Sequence, residues 1–390
     1  MPTYLDHAAT TPIRPQVLTA YAEALTSVGN PSSVHKFGQD ARNLLEAARE
    51  SLARSTGANR SEIIFTSGGT ESDNLAVKGI FWQRNAEDSA RTVIITAGTE
   101  HHGVLDPIYW LEDNQGAETV LIPVDSRGVF DLDWLARYLE TNGAKVALIS
   151  LMWVNNETGV ISDIPGITAL ASKYGVPVHT DAVAAFGHIP VDFASSGLAA
   201  MSISAHKIGG PVGSGALLVG RAVKLTSLVH GGGQERGMRS GTMDAARATA
   251  FALAAELAFA EIGSETQRLA VLAERLVAGV AAVAPDAVLS RGDAPGLPGT
   301  VHFTFPGCSA DSLIFLLDAA GVSVSAGSAC TAGVNRPSHV LLAMGRSEDE
   351  ATGALRITLG YTTTEADIDA FLTAFPGAHQ AAKKAGLPSK

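Results

Sequence analysis

Short, uninterrupted apolar runs alternate with stretches whose apolar residues recur at helical spacing over the first half of the chain. Residues 62–67 (EIIFTS), 91–97 (RTVIITA), 146–154 (VALISLMWV), 176–182 (VPVHTDA), 199–205 (AAMSISA) and 215–220 (GALLVG) read as strands. Helices are expected over 39–56, where Gly57 supplies a stop, from the glycine turn at 68 onward, near 103–115 and near 164–174. Strands that are apolar throughout and separated by helices predict a mostly parallel α/β sheet covered on both faces. An Ala-rich helical stretch at 243–283 leads to a second pattern: strands at 301–305, 322–327 and 355–361, with helices from 309 and at 337–345. We therefore expect a large unit at residues 15–255. Residues 1–14 and 256–390 are expected to form a smaller α+β unit.

Composition narrows the class. The 390 residues are 46% hydrophobic and 17% charged, which excludes disorder and coiled coil. Net charge is −11 with no basic cluster to offset it, so neither a nucleic-acid nor an anionic-membrane surface is expected. No window reaches the ~18 apolar residues of a membrane span. The start, MPTYLDHAATTP, lacks the basic and apolar regions of a signal peptide. Two cysteines, Cys308 and Cys330, make no disulfide framework; a cytoplasmic location is expected.

The polar residues gather just after the strands, where open parallel sheets bind ligands. In SISAHKIGGPVGSGALLV (202–219), Lys207 lies in a tight Ser-x-His-Lys turn between two strands. Asp181 ends an apolar strand, where an unpaired carboxylate is costly. Gly69 and Thr70 open a helix, whose free N–H groups and dipole suit a phosphate. An amine nucleophile, a buried carboxylate and a phosphate cradle are what pyridoxal 5'-phosphate (PLP) demands. Lys207 would capture the aldehyde, Asp181 would face the pyridine nitrogen, and Thr70, Ser204 and His206 would hold the phosphate. Cys330 lies among small and polar residues that pack poorly, as a thiol on an exposed, moving loop should. Cys308 sits between an expected strand and helix and reads as structural.

The residues 4–12 (YLDHAATTP), 29–35 (GNPSSVH), 65–74 (FTSGGTESDN), 99–106 (TEHHGVLD), 154–159 (VNNETG), 204–211 (SAHKIGGP), 231–242 (GGGQERGMRSGT) and 325–333 (SAGSACTAG) together resemble the cysteine desulfurases of the class V aminotransferase family. The resemblance is to the group that carries its reactive cysteine on an extended loop, and it runs nearly end to end. It implies the PLP-dependent aspartate-aminotransferase-like fold (fold type I) and removal of sulfur from L-cysteine, giving L-alanine and a persulfide on Cys330. It further implies that His101 stacks on the pyridine face and moves a proton, and that Asn156 reaches the cofactor and substrate. Asn155, its neighbour, competes for that assignment, whereas His102 reads as structural. Arg356 would clamp the substrate α-carboxylate, with Arg239 a weaker alternative. Thr242 would touch the phosphate of a neighbouring subunit's cofactor, which makes the protein a homodimer. The persulfide would pass to an acceptor protein, either an iron–sulfur scaffold or a tRNA-thiolation relay. No metal is expected.

One position departs from the family pattern. Where relatives carry a glutamine that touches the cofactor's phenolic oxygen, this chain has Ala184. The alternatives left open are a selenocysteine lyase, another class V PLP enzyme and a non-catalytic scaffold.

Overall fold

The computed structural model describes residues 2–327 and 337–385. The chain opens with a two-residue strand, β1 (Thr3–Tyr4), then helices α1 (Pro15–Leu25) and α2 (Lys36–Thr56). Alternating elements follow: β2 (Ile63–Thr66), α3 (Gly69–Glu87), β3 (Val93–Thr96), α4 (His102–Gln115), β4 (Glu118–Leu121), α5 (Leu132–Asn142), β5 (Val146–Ser150) and α6 (Ile164–Ser172). Next come β6 (Val178–Asp181), the single-turn α7 (Phe193–Ser196), β7 (Ala200–Ser204) and β8 (Gly215–Val219).

These strands form one seven-stranded sheet in the order β2-β8-β7-β6-β5-β3-β4. Only β8 runs against the rest, pairing antiparallel with both β2 and β7. β2, β3, β5, β6, β7 and β8 are buried along their whole length. Helices on both faces exclude water, so no polar alternation is needed. β4 is the exception: an edge strand with Glu118 and Leu121 exposed, and for that reason it leaves no apolar run in the sequence.

Helix α8 (Ala245–Val283) is capped by the Asp244 side chain, which accepts from Arg247 N–H. Its first half, through Ala258, packs into the core of the large sheet; from Leu269 its residues belong to a second core. The elements that follow are β9 (Val288–Leu289), β10 (Thr300–Thr304), α9 (Ala310–Ala319), β11 (Val322–Ser323), α10 (His339–Ala343), α11 (Glu348–Thr352), β12 (Ala354–Thr358) and α12 (Glu365–Ala385); α10 and α11 pack in a small cluster of their own, and the others enclose the second core. An antiparallel sheet β12-β10-β9 and a parallel pair β1-β11 supply its strands. The apolar run at 322–327 is shorter as a strand than its composition predicts. After pairing β1 through Ser323, the chain crosses to β12, where Ser325 bridges Arg356. α12 continues to Ala385, with Ala382 buried and Lys383 Nζ 2.7 Å from Asp286.

Among the described residues, no helix is long and apolar enough to cross a membrane.

Candidate active site

β6, β7 and the turn that opens α3 end at one side of the sheet, and a cavity of about 430 Å³ lies beyond them. Asp181, Ser204, His206, Lys207, Gly69, Thr70, His101, Asn156 and Arg356 all line it.

Lys207 sits in the connection between the antiparallel neighbours β7 and β8. The turn is closed by Ile208 and Gly210 N–H groups, both donating to Ala205 C=O. Gly209 takes φ +83°, and a Cβ there would lie 2.7 Å from Arg14 Cγ, so glycine is required for the turn to meet the amino-terminal strip. That strip holds the turn from outside. Thr11 N–H donates to His206 C=O at 3.0 Å, Arg14 N–H donates to Gly209 C=O at 2.9 Å, and Arg14 Nε reaches Ile208 C=O. Lys207 Nζ donates to the Ala8 and Ala9 carbonyls. The amine is therefore aimed by residues about two hundred positions earlier in the chain.

Asp181 lies at the floor. One oxygen accepts from Val183 N–H at 2.8 Å, and burial raises its pKa against the opposing charges of His101 and Lys207. A buried carboxyl of this kind gains most from a cationic N–H partner. His101 caps α4: its Nδ1 accepts from Gly103 N–H at 2.9 Å, which leaves the proton on Nε2. Burial lowers its pKa, and Lys207 adds to the effect while Asp181 opposes it. It is thus a neutral imidazole with a proton to give. His206, whose Nδ1 lies 3.2 Å from Thr10 Oγ1, is lowered to about 4 by burial and by Lys207.

The opposite wall carries Arg356, third in β12. Its Nη1 donates to Asn156 C=O at 2.9 Å and its Nη2 to Asp6 Oδ1 at 2.8 Å, while its buried Nε has no partner. The backbone separates the two adjacent asparagines. Asn155 is spent on the turn, accepting from Glu157 N–H, Thr158 N–H and Thr158 Oγ1 and donating to Thr99 C=O. Asn156 faces the cavity with a buried Oδ1 that has no partner. Arg239 is directed elsewhere, its Nε 2.8 Å from Glu71 Oε1. Ala184 lines the same cavity.

One expected residue among those described does not line this cavity. Thr242 is exposed on the loop before α8. Cys330 lies outside the described residues. Cys308 is buried at the end of the second core, where burial raises its thiol pKa.

Sequence reasoning missed three lining or supporting groups. Asp73, on α3, is fully buried with neither oxygen hydrogen-bonded, and burial and the Asp181 charge hold its pKa well above the usual range. His7 is lowered to about 4 by burial, and its Nδ1 meets Thr11 Oγ1. Asp6 orients Arg356. Only the packed backbone shows that these residues share one space. Their one signal in the sequence was membership of the quoted segments 4–12 and 65–74.

The sequence model of the family described as aminotransferase class-V matches residues 3–371. This chain belongs to that family. Class-V aminotransferases divide into several activities, and this one sits with the cysteine desulfurases. It is 49% identical to an IscS-like cysteine desulfurase of Mycobacterium tuberculosis, over 98% of each chain. A solved structure described as a NifS-like protein superposes with a TM-score of 0.90 at 34% identity, over 98% of this chain and 100% of the other. Another, described as SspA in complex with cysteine, gives a TM-score of 0.76 at 32% identity, over 92% and 98%.

Class-V enzymes of this group are PLP-dependent, and the residues present fit that group. Two buried polar atoms with no partner, Asn156 Oδ1 and Arg356 Nε, belong to residues lining a cavity that also presents an amine, a carboxyl and a helix N-terminus. Lys207, Asp181, Gly69, Thr70, Ser204, His206, His101 and Asn156 are the residues that would hold it.

Proposed function

We propose that this cysteine desulfurase binds PLP on Lys207, takes free L-cysteine, and leaves L-alanine and a sulfane sulfur on Cys330. The observation that supports it most is the convergence of Lys207, Asp181, Asn156 and Arg356 on one cavity from four separate parts of the chain. When bound, PLP supplies an electron sink that makes the carbon skeleton of an amino acid labile.

The chain's own residues divide the remaining work. Arg356 presents a buried guanidinium, already oriented by Asp6, to the substrate carboxylate, a planar fork matched to a planar acceptor. Lys207 holds and returns a proton at Nζ near the substrate Cα. His101 offers the proton on Nε2. Asp181, buried at the cavity floor, keeps a positive charge on the ring side favourable. Cys330 is the acceptor of sulfur, and a protein that takes persulfides is the partner to which it would pass. Thr242, exposed on its loop, is the residue we assign to a second subunit's site.

The test begins with colour. Purified protein should show the absorbance of a bound pyridoxal, which Lys207→Ala changes to that of a noncovalently held cofactor. Alanine release from cysteine should fall at least about a thousandfold in Lys207→Ala. In Cys330→Ala the sulfur should no longer appear as protein persulfide. Protein that remains colourless after PLP addition, or persulfide unchanged in Cys330→Ala, would overturn the reading.

A further inference from the structure

Residues on both sides of the segment that carries Cys330 meet at one carboxyl group. Ser338 Oγ donates to Glu157 Oε2 at 2.5 Å. From the other side, Gly327 packs on the same group: a Cβ at Gly327 would lie 3.2 Å from Glu157 Oε2, and its φ of +86° already favours glycine. Glu157 is buried, 1% exposed, and its place is fixed by its own N–H donating to Asn155 Oδ1 at 3.0 Å.

The same carboxyl lies one residue from the substrate wall. Asn156 C=O accepts from Arg356 Nη1. Ser325, two residues before Gly327, exchanges both backbone hydrogen bonds with Arg356, and its Oγ accepts from Gly327 N–H at 3.1 Å. His339, next to Ser338, donates from Nε2 to Glu100 C=O at 2.8 Å and packs on the His102 ring at 4.7 Å. A buried carboxyl is costly unless it holds something in place. Here it joins three things: the residue before the segment, the residue after it, and the strand pair that presents Arg356.

We propose that Glu157 is a positioning residue, which pins Gly327 and Ser338 to the large unit and so sets the distance over which Cys330 works from the carboxylate clamp. This rests on the reading that Cys330 accepts the sulfur.

The full-length protein loaded with PLP tests it through Glu157→Ala, Glu157→Gln, Ser338→Ala and the double variant Glu157→Ala/Ser338→Ala. Two readouts are followed by mass spectrometry: alkylation of Cys330 by iodoacetamide without substrate, and persulfide formed at Cys330 with L-cysteine. Bound-cofactor absorbance is recorded in parallel. Glu157→Ala should slow persulfide formation about tenfold or more and speed alkylation, with the cofactor absorbance unchanged. Glu157→Ala should cost less in the Ser338→Ala background than in the unaltered protein, because the contact between the two is already gone there; Ser338→Ala also removes the cap on Leu341 N–H, a loss common to both members of that comparison. Glu157→Gln, which keeps an acceptor for Ser338, should recover to within about threefold of the unaltered protein. Unaltered persulfide and alkylation rates in Glu157→Ala, or effects that add in the double variant, would overturn the proposal. If the unaltered protein forms no persulfide at Cys330, the sulfur-acceptor reading is what fails.

Discussion

At the scale of single residues, the site is built from groups whose usual surroundings have been exchanged for buried ones. Arg356 is 4% exposed and keeps one nitrogen without a partner; a lysine there could supply charge but not the fork. Arg356→Lys should raise KM for cysteine roughly ten- to a hundredfold, with cofactor loading intact, in steady-state kinetics. Ala184 gives a second prediction. Its methyl side chain has no donor to offer where the family pattern has a glutamine beside the cofactor's phenolic oxygen, so Ala184→Gln should shift the midpoint of the absorbance–pH curve of the bound cofactor. The added donor stabilises the phenolate, by about 0.5–1.5 kcal/mol. Identical curves would remove the idea.

Residue types that carry their chemistry with them were legible in the chain: Lys207 after a strand, Asp181 at a strand end, the glycine turn at α3. Groups whose role depends on enclosure were not. Asp73 looks like any acid near a helix start until α3 is laid against the sheet and the carboxyl is sealed in. Glu157 reads as part of a turn until the chain returns one hundred and eighty-one residues later with Ser338.

At the scale of elements, the strands announced themselves because burial on both faces writes an unbroken apolar run. β4, half exposed, did not, and α1, which buries only Val17, leaves no broad apolar stripe. The free edge of β2 is managed by a side chain. Glu235 accepts from Phe65 N–H at 2.8 Å and pairs with Arg49 at 2.6 Å, and Arg49 in turn donates to Ile63 C=O. Glu235 adopts φ +45° to do this. Glu235→Ala leaves Arg49 buried without its partner and should lower stability by about 3–5 kcal/mol in urea unfolding. The middle of α8 offers the opposite change. Gly263 is helical, and a Cβ added to it would meet nothing within 4 Å; Gly263→Ala should add about 0.5–1 kcal/mol.

At the scale of the whole molecule, pH bears on both cores. His179, in the large sheet, and His302, in the small one, are each lowered to about 3 by burial. Unfolded, they would titrate near 6.5, so the unfolded chain binds their protons first. Stability from these two groups is therefore fully present above about pH 6.5 and falls steadily toward about pH 3. Asp73 and Glu100 act in the reverse sense. Burial raises both well above the usual carboxylate range, so folding costs most where they must ionise and less as pH falls. Replacing His302 by an uncharged residue of similar shape isolates its share: the urea midpoint of that variant should gain on the unaltered protein as pH falls from about 6.5 to about 4. A difference between the two that does not change over that range would contradict the assignment.

The strip from Thr3 to Arg14 is the thread that joins the molecule's parts: it pairs with β11, orients Arg356 through Asp6 and carries the carbonyls that receive Lys207. Asp6 and Arg356 stand 350 residues apart. During synthesis this strip leaves the ribosome well before its partners at Ser323, Arg356 and Thr358. The large sheet can assemble while translation proceeds, but the final aim of Lys207 and the setting of Arg356 must wait for β12. A nascent chain, however well folded its central layer, thereby leaves that side of the cavity open until β12 has emerged.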